Sequence, residues 1–201
     1  MGFRRLGVLA VLIGGILTVP LPATADFEAG SIAAHNGDHK TAMAEWLPLA
    51  KQGHVKAQYA VGALFAEGLG ARQSLKKAFR WWRDAAEQNH AGAQYNIAVM
   101  YKDGLGVRKN SEEAVRWLNL AAKQGNTDAH TQLSRLYRDG DSVEPDPVQA
   151  YMWLEIAQRN GSRSVSRSLE TAAADLSSAQ LADANARVQA WMDANDLPKP
   201  P

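Results

Sequence analysis

Apolar residues recur along this chain at a helical spacing, and the helical pattern itself recurs every 36 residues. Ala57, Val61, Leu64 and Phe65 fall at i, i+4, i+7 and i+8, one stripe of an α-helix. Displaced by the period, the stripe reads Ala93, Ile97, Met100, Tyr101, and then Ala129, Leu133, Leu136, Tyr137. Gly62, Ala98 and Ser134 share a column in which a small residue lets a neighbour approach closely. A second helix follows each of these first, or A, helices. These B helices carry Trp46, Trp82, Leu118 and Leu154 in one column and Glu45, Trp81, Trp117 and Trp153 in the next. Small residues follow at Ala85-Ala86, Ala121-Ala122 and Ala157. Bulk in one column and alanine in another is what interdigitating helices need, so the tryptophans are read as core rather than as platforms for a sugar or cofactor. A period of this length predicts a repeat array.

Punctuation agrees with the pattern. The A helices end at Gly68, Gly104 and Gly140, and the B helices at Gly53, Asn89, Gly125 and Gly161, where a left-handed residue closes a helix. Asp38, Ser74, Asn110 and Asp146 stand four residues before the recurring Ala42, Ala78, Ala114 and Ala150 and are expected to be N-caps. Asn110 with Glu113 and Asp146 with Gln149 have capping-box spacing, and Pro147 suits a first helical position. Pro48 is expected to kink the first B helix. The array divides into a divergent first unit or cap at 26–53 and repeats at about 54–89, 90–125 and 126–161. Capping helices follow at 162–195, and a loose proline-rich tail at 196–201. In the last part Ser177 and Gln180 have capping-box spacing, and Leu181, Val188 and Trp191 are expected to close the final hydrophobic face.

These alanine, glycine, cap and aromatic columns, all in one register, resemble Sel1-like repeats, relatives of the tetratricopeptide repeats. The resemblance covers three units and a divergent first half-unit. The third unit departs from it at Thr131, Ser142 and Gln158, which points to a less regular loop and a weaker next interface. The family implies an all-α, right-handed α/α superhelical solenoid used for protein–protein contact. Some secreted bacterial members bind cell-wall-related molecules, although those stapled by cysteine pairs are not matched by a chain without cysteine.

The N-terminus adds a destination. Arg4-Arg5 precedes an uncharged, mostly apolar run from Leu6 to Val19, then Pro20, Pro22 and Ala23-Thr24-Ala25. The run is shorter than the ~20 residues a membrane span needs and contains Gly14-Gly15. Residues 1–25 are therefore read as a cleaved signal peptide, with no stable membrane insertion afterwards and a periplasmic location. Loss of Arg4 and Arg5 leaves 20 basic and 21 acidic residues, a balance that argues against a nucleic-acid partner.

Catalytic chemistry is hard to find. The GLG glycines join two helices instead of following a strand, so they are no phosphate loop. His35 and His39 are separated by Gly37-Asp38. His54 and His90 occupy equivalent turns and are read as surface residues, with a metal-binding ladder as the minor alternative. The serines from Ser162 to Ser168 have no histidine beside them. No cofactor, metal or catalytic residue is assigned, and the chain is read as a scaffold for a protein or peptide. The alternative is a cell-wall-fragment-binding protein or an enzyme with a deep polar groove site. In helix-pair solenoids the A helices line the concave surface. The side opposite the buried stripe carries Tyr59, Ala63 and Ala66, then Tyr95, Val99 and Lys102, then Thr131, Arg135 and Arg138. Of these, Tyr59, Tyr95, Val99, Lys102, Arg135 and Arg138 are the candidate partner-binding residues. They run from aromatic to basic, as suits an extended peptide with apolar residues at one end and a carboxylate at the other. Tyr59 and Tyr95 also have a second reading, as packing between neighbouring A helices.

Overall fold

A computed structural model describes residues 26–140 and 143–195. The expected signal segment and the tail lie outside them. The described residues form α-helices joined by short turns, with no strand among them. The pairs are α1 (Phe27–His35) with α2 (His39–Lys51), α3 (Val55–Glu67) with α4 (Leu75–Glu87), α5 (Ala91–Asp103) with α6 (Ser111–Lys123), and α7 (Thr127–Asp139) with α8 (Pro147–Arg159). A 3₁₀ turn at Arg163–Val165 leads into α9 (Ser166–Ala174), and α10 (Ser178–Ala194) ends the array. From α1 to α9 each helix packs on its neighbours in sequence, and α10 returns to pack on α8.

The caps form as their residue types predict. Asp38, Ser74, Asn110 and Asp146 accept from the backbone N–H three residues on. Asn89 has φ 64°, the non-glycine taking the left-handed conformation that glycine takes at the other B-helix ends. One expectation needs correction. The Asn110–Glu113 and Asp146–Gln149 pairs make only the forward half of a capping box. The Glu113 carboxylate instead accepts from Arg116, at 2.7 Å, and the Gln149 side-chain oxygen is buried without a partner. The reciprocal box does form at Ser177–Gln180. Helix α2 runs through Pro48 to Lys51, and its exposed position leaves the freed backbone carbonyl near water.

Side-chain size explains the small-residue column. A Cβ on Gly62 would lie 2.4 Å from the Trp82 ring, and one on Gly30 equally close to Trp46. The indoles thus lie directly on helix backbone, and their N–H groups donate to Tyr59 O and Phe27 O at 3.0 Å. In the next two units the equivalent positions are Ala98 with Leu118 and Ser134 with Leu154, a smaller side chain meeting a larger residue. Trp46, Trp117 and Trp153 are buried, and Trp81, Trp82 and Trp191 are half-buried against the same core, as expected of core residues.

A polar ladder that the sequence reading missed runs through this core. Gln58 and Gln94 donate to Ala50 O and Ala86 O, and each accepts from a glutamine thirty residues on, Gln88 and Gln124, at 2.7 Å. In the third unit His130 takes the glutamine's place. It is fully buried, its Nε2 lies 3.0 Å from Ala122 O, and its ring stacks on Trp153 and meets Trp191 edge-on. Asn160, in register with Gln88 and Gln124, is one methylene shorter. Its buried amide nitrogen and His130 Nδ1 both lack partners.

Candidate functional site

Beyond the third unit the regular stacking changes. Helix α9 opens without a side-chain cap and buries none of its own residues fully, so it holds the stack only loosely. Leu154, Ala157 and Val165 form a small cluster of their own rather than extending the main core, in agreement with the weaker interface expected after Gln158. Between α7 and α9 this leaves a cleft of about 500 Å³. Its floor is apolar, with buried Ala150, Leu154 and Val165. Its walls carry Thr131, Arg135 and Arg138 from α7 and Arg167, Ser168 and Thr171 from α9, with Asp175 at the end.

The polar groups of the walls are mostly donors. Thr131 and Thr171 turn their hydroxyl protons back to Thr127 O and Arg167 O, which fixes their rotamers. Arg138 is held by Asp139 at 2.7 Å, and this hydrogen bond raises the guanidinium pKa further above its ordinary value. Arg135 and Arg167 have no ion pair among the described residues. Two free guanidinium groups over an apolar floor favour a ligand with a carboxylate beside an apolar group, because a planar guanidinium meets a carboxylate through two parallel hydrogen bonds.

The other candidate residues fall elsewhere. Tyr59 is half-buried against the core, with its ring 4.3 Å from that of His90 and nearly parallel to it. Tyr95 is also half-buried against the core. Val99 is half-buried but outside the core cluster, and Lys102 pairs with Asp103 at 2.8 Å. The candidate list thus divides. Arg135 and Arg138 meet in one cleft, whereas Tyr59 packs between successive A helices. His54 and His90 have a role beyond that of surface turn residues. Each Nδ1 accepts from the backbone N–H that opens α3 or α5, and each ring stacks on Phe27 or Tyr59. Arg167 was missed because α9 lacks the repeat's apolar columns that place a residue on a helix face.

Nothing in the cleft resembles an acid–base pair. The histidine whose pKa moves most is His130, pushed down to about 4 by burial, and it lies in the core and not on the cleft wall. No group of three His, Asp or Glu that could hold a metal gathers among the described residues. No described helix is long and apolar enough to cross a membrane.

Fold and cleft together define a helical-repeat protein with a solvent-open cleft after its third unit. The Sel1 repeat is matched three times, over residues 55–90, 91–126 and 127–162, and the chain belongs to the Sel1 repeat family. It is similar to a Sel1 repeat protein from Oxalobacter formigenes, with TM-score 0.67 and 28% identity over 72% of this chain and 59% of that one. It is also similar to c5321, a protective antigen of uropathogenic Escherichia coli strains with an SLR fold. There the TM-score is 0.59 and the identity 26%, over 83% of this chain and 44% of that one. The chain therefore spans roughly half the length of these two relatives. No curated protein matches it. Sel1 repeats generally serve as scaffolds for protein interaction.

Proposed function

We propose that this is an exported, non-catalytic scaffold that binds an extended peptide segment of a partner protein along its A-helix surface. The segment's carboxylate-bearing end is anchored in the α7–α9 cleft. The observation that carries this reading is the convergence of Arg135, Arg138 and Arg167 on a cleft with an apolar floor. Arg135 and Arg167 supply the unpaired guanidinium groups for the carboxylate and Arg138, in its pair with Asp139, adds charge beside them; Leu154 and Val165 receive the neighbouring apolar side chain, and Val99 and Lys102 extend the path along the preceding A helix.

The double variant Arg135→Ala/Arg138→Ala tests the anchor. With the chain as bait in an extract of its own cell envelope, it is expected to lose at least tenfold in recovered partner. Helical circular dichroism and Tm stay at wild-type values, because both side chains are exposed. Undiminished capture by the folded variant removes the cleft from the account. Export has its own test. N-terminal sequencing of the protein from cells is expected to begin at or near Asp26, and recovery of an intact Met1 chain in the membrane fraction contradicts cleavage.

A further inference from the structure

We infer that the basic rim formed by loops 68–73 and 104–109 and the exposed face of α4 is a docking surface for an anionic lipid bilayer. Charge is unevenly placed along the chain. Residues 39–109 hold eleven Lys and Arg against five Asp and Glu, bordered by Asp38 on one side and Glu112 and Glu113 on the other, whereas residues 110–195 hold eight against twelve. From Gly68 to Arg83 there are five basic residues and no acid. Lys76, Arg80 and Arg83 stand at i, i+4 and i+7, one exposed face of α4. Of the three, only Arg83 makes ion pairs, with Asp84 at 3.5 Å and Glu87 at 3.6 Å. Arg72, Lys76 and Arg80 have no ion pair among the described residues.

The fold gathers further cations beside them. A Cβ on Gly106 would lie within 3 Å of the Leu75–Lys76 backbone, so the loop bearing Arg108 and Lys109 rests on the first turn of α4. One unit earlier Gly70 meets the backbone of His39 and Lys40, so the loop bearing Arg72 rests on α2. Glycine is required at both positions by this contact, and the contact makes one continuous basic rim from three successive units. Leu105, 39% exposed, sits at the tip of the upper loop between Gly104 and Gly106.

Several occupants compete for such a surface. A single-stranded nucleic acid would need exposed rings for stacking, but Trp81 and Trp82 are half-buried in the core and the Trp82 N–H is already bonded, and 22 basic against 21 acidic residues lack the excess that a duplex binder carries. An acidic peptide seated in the hollows beside these cations would also meet Asp38 next to Lys40 and Arg72, or Glu112 next to Arg108 and Lys109. A bilayer presents a sheet of negative charge above an apolar layer, and it matches a row of unpaired cations with one apolar side chain projecting among them. The apolar face of α4, with Ala78, Phe79, Ala85 and Ala86, is buried in the core, so the helix cannot insert and the contact is peripheral. Each basic residue near an anionic surface strengthens binding about fivefold, and salt screens the attraction over about 10 Å at 0.1 M.

Vesicle co-sedimentation tests this, with the exported chain purified from cells. Vesicles of phosphatidylcholine alone are compared with vesicles containing about one-quarter phosphatidylglycerol. Sedimentation with the anionic vesicles only, abolished at 0.5 M NaCl, is expected. The Lys76→Glu/Arg80→Glu variant is expected to lose more than tenfold in partition. The loop variant Arg108→Glu/Lys109→Glu loses a similar factor without touching a helix interior. Arg135→Ala/Arg138→Ala binds vesicles as wild type does, which separates this surface from the peptide cleft. Equal partition into neutral vesicles, or unaltered binding by both charge-reversal variants, overturns the inference.

Discussion

His130 shows how one side chain sets a solution property. Its ring is enclosed by Trp153, Trp191 and the Ala122 carbonyl, and burial there pushes its pKa down to about 4 from an ordinary 6.5. The native state therefore keeps the ring neutral through a pH range in which the unfolded chain protonates it. Stability from this site is present in full above about pH 6.5 and is lost as the pH falls toward 4, by about 3 kcal/mol in all. Glutamine is the residue that the first two units use in this column, and it makes the same bond to the same carbonyl. His130→Gln is therefore expected to flatten this part of the acid unfolding profile. Urea titrations at pH 7 and pH 4.5 measure it. An equal loss in both chains assigns the acid sensitivity to other groups.

At the scale of the helix pair, the repeat register is the claim most open to challenge. Ala121 is fully exposed to core neighbours and to no solvent, between Trp117 and Leu118 on its own helix and the A helix that follows. Ala121→Leu is expected to overpack this contact and lower stability by ~1–3 kcal/mol. A thermal melt that matches wild type places the residue at the surface and contradicts the register. Much of this level was legible in the chain. Caps and helix-closing residues depend on a few local backbone angles, so Asp38, Ser74, Asn110 and Asn89 could be read singly. The glutamine ladder could not. Gln58 and Gln88 look like ordinary surface residues until the fold brings positions thirty apart within 2.7 Å. The capping action of His54 and His90 was missed for a different reason, since histidine is outside the usual set of cap residues.

At the scale of the whole molecule, the proposed anchor lies where the repeat stops being regular. In the regular part each helix packs against the next. Where α9 loses the apolar columns, the stack opens and Arg135 and Arg138 stand over exposed space with Arg167 opposite. The first two of these residues were placed on the open side of α7 by helical geometry alone, because α7 keeps the period. The third required the path of the chain after Gly161, which no periodic signal records.

Site-specific photo-cross-linking in living cells tests this account most directly. A photoreactive amino acid is placed at Thr131, on the cleft wall, or at Gln132, its half-buried neighbour on α7 that does not line the cleft. The account predicts a discrete protein adduct from position 131 and a much weaker one from position 132, with the first adduct lost when Arg135 and Arg138 are both alanine. Adducts of equal yield from the two positions, or an adduct from position 131 that survives the double substitution, contradict binding in the α7–α9 cleft.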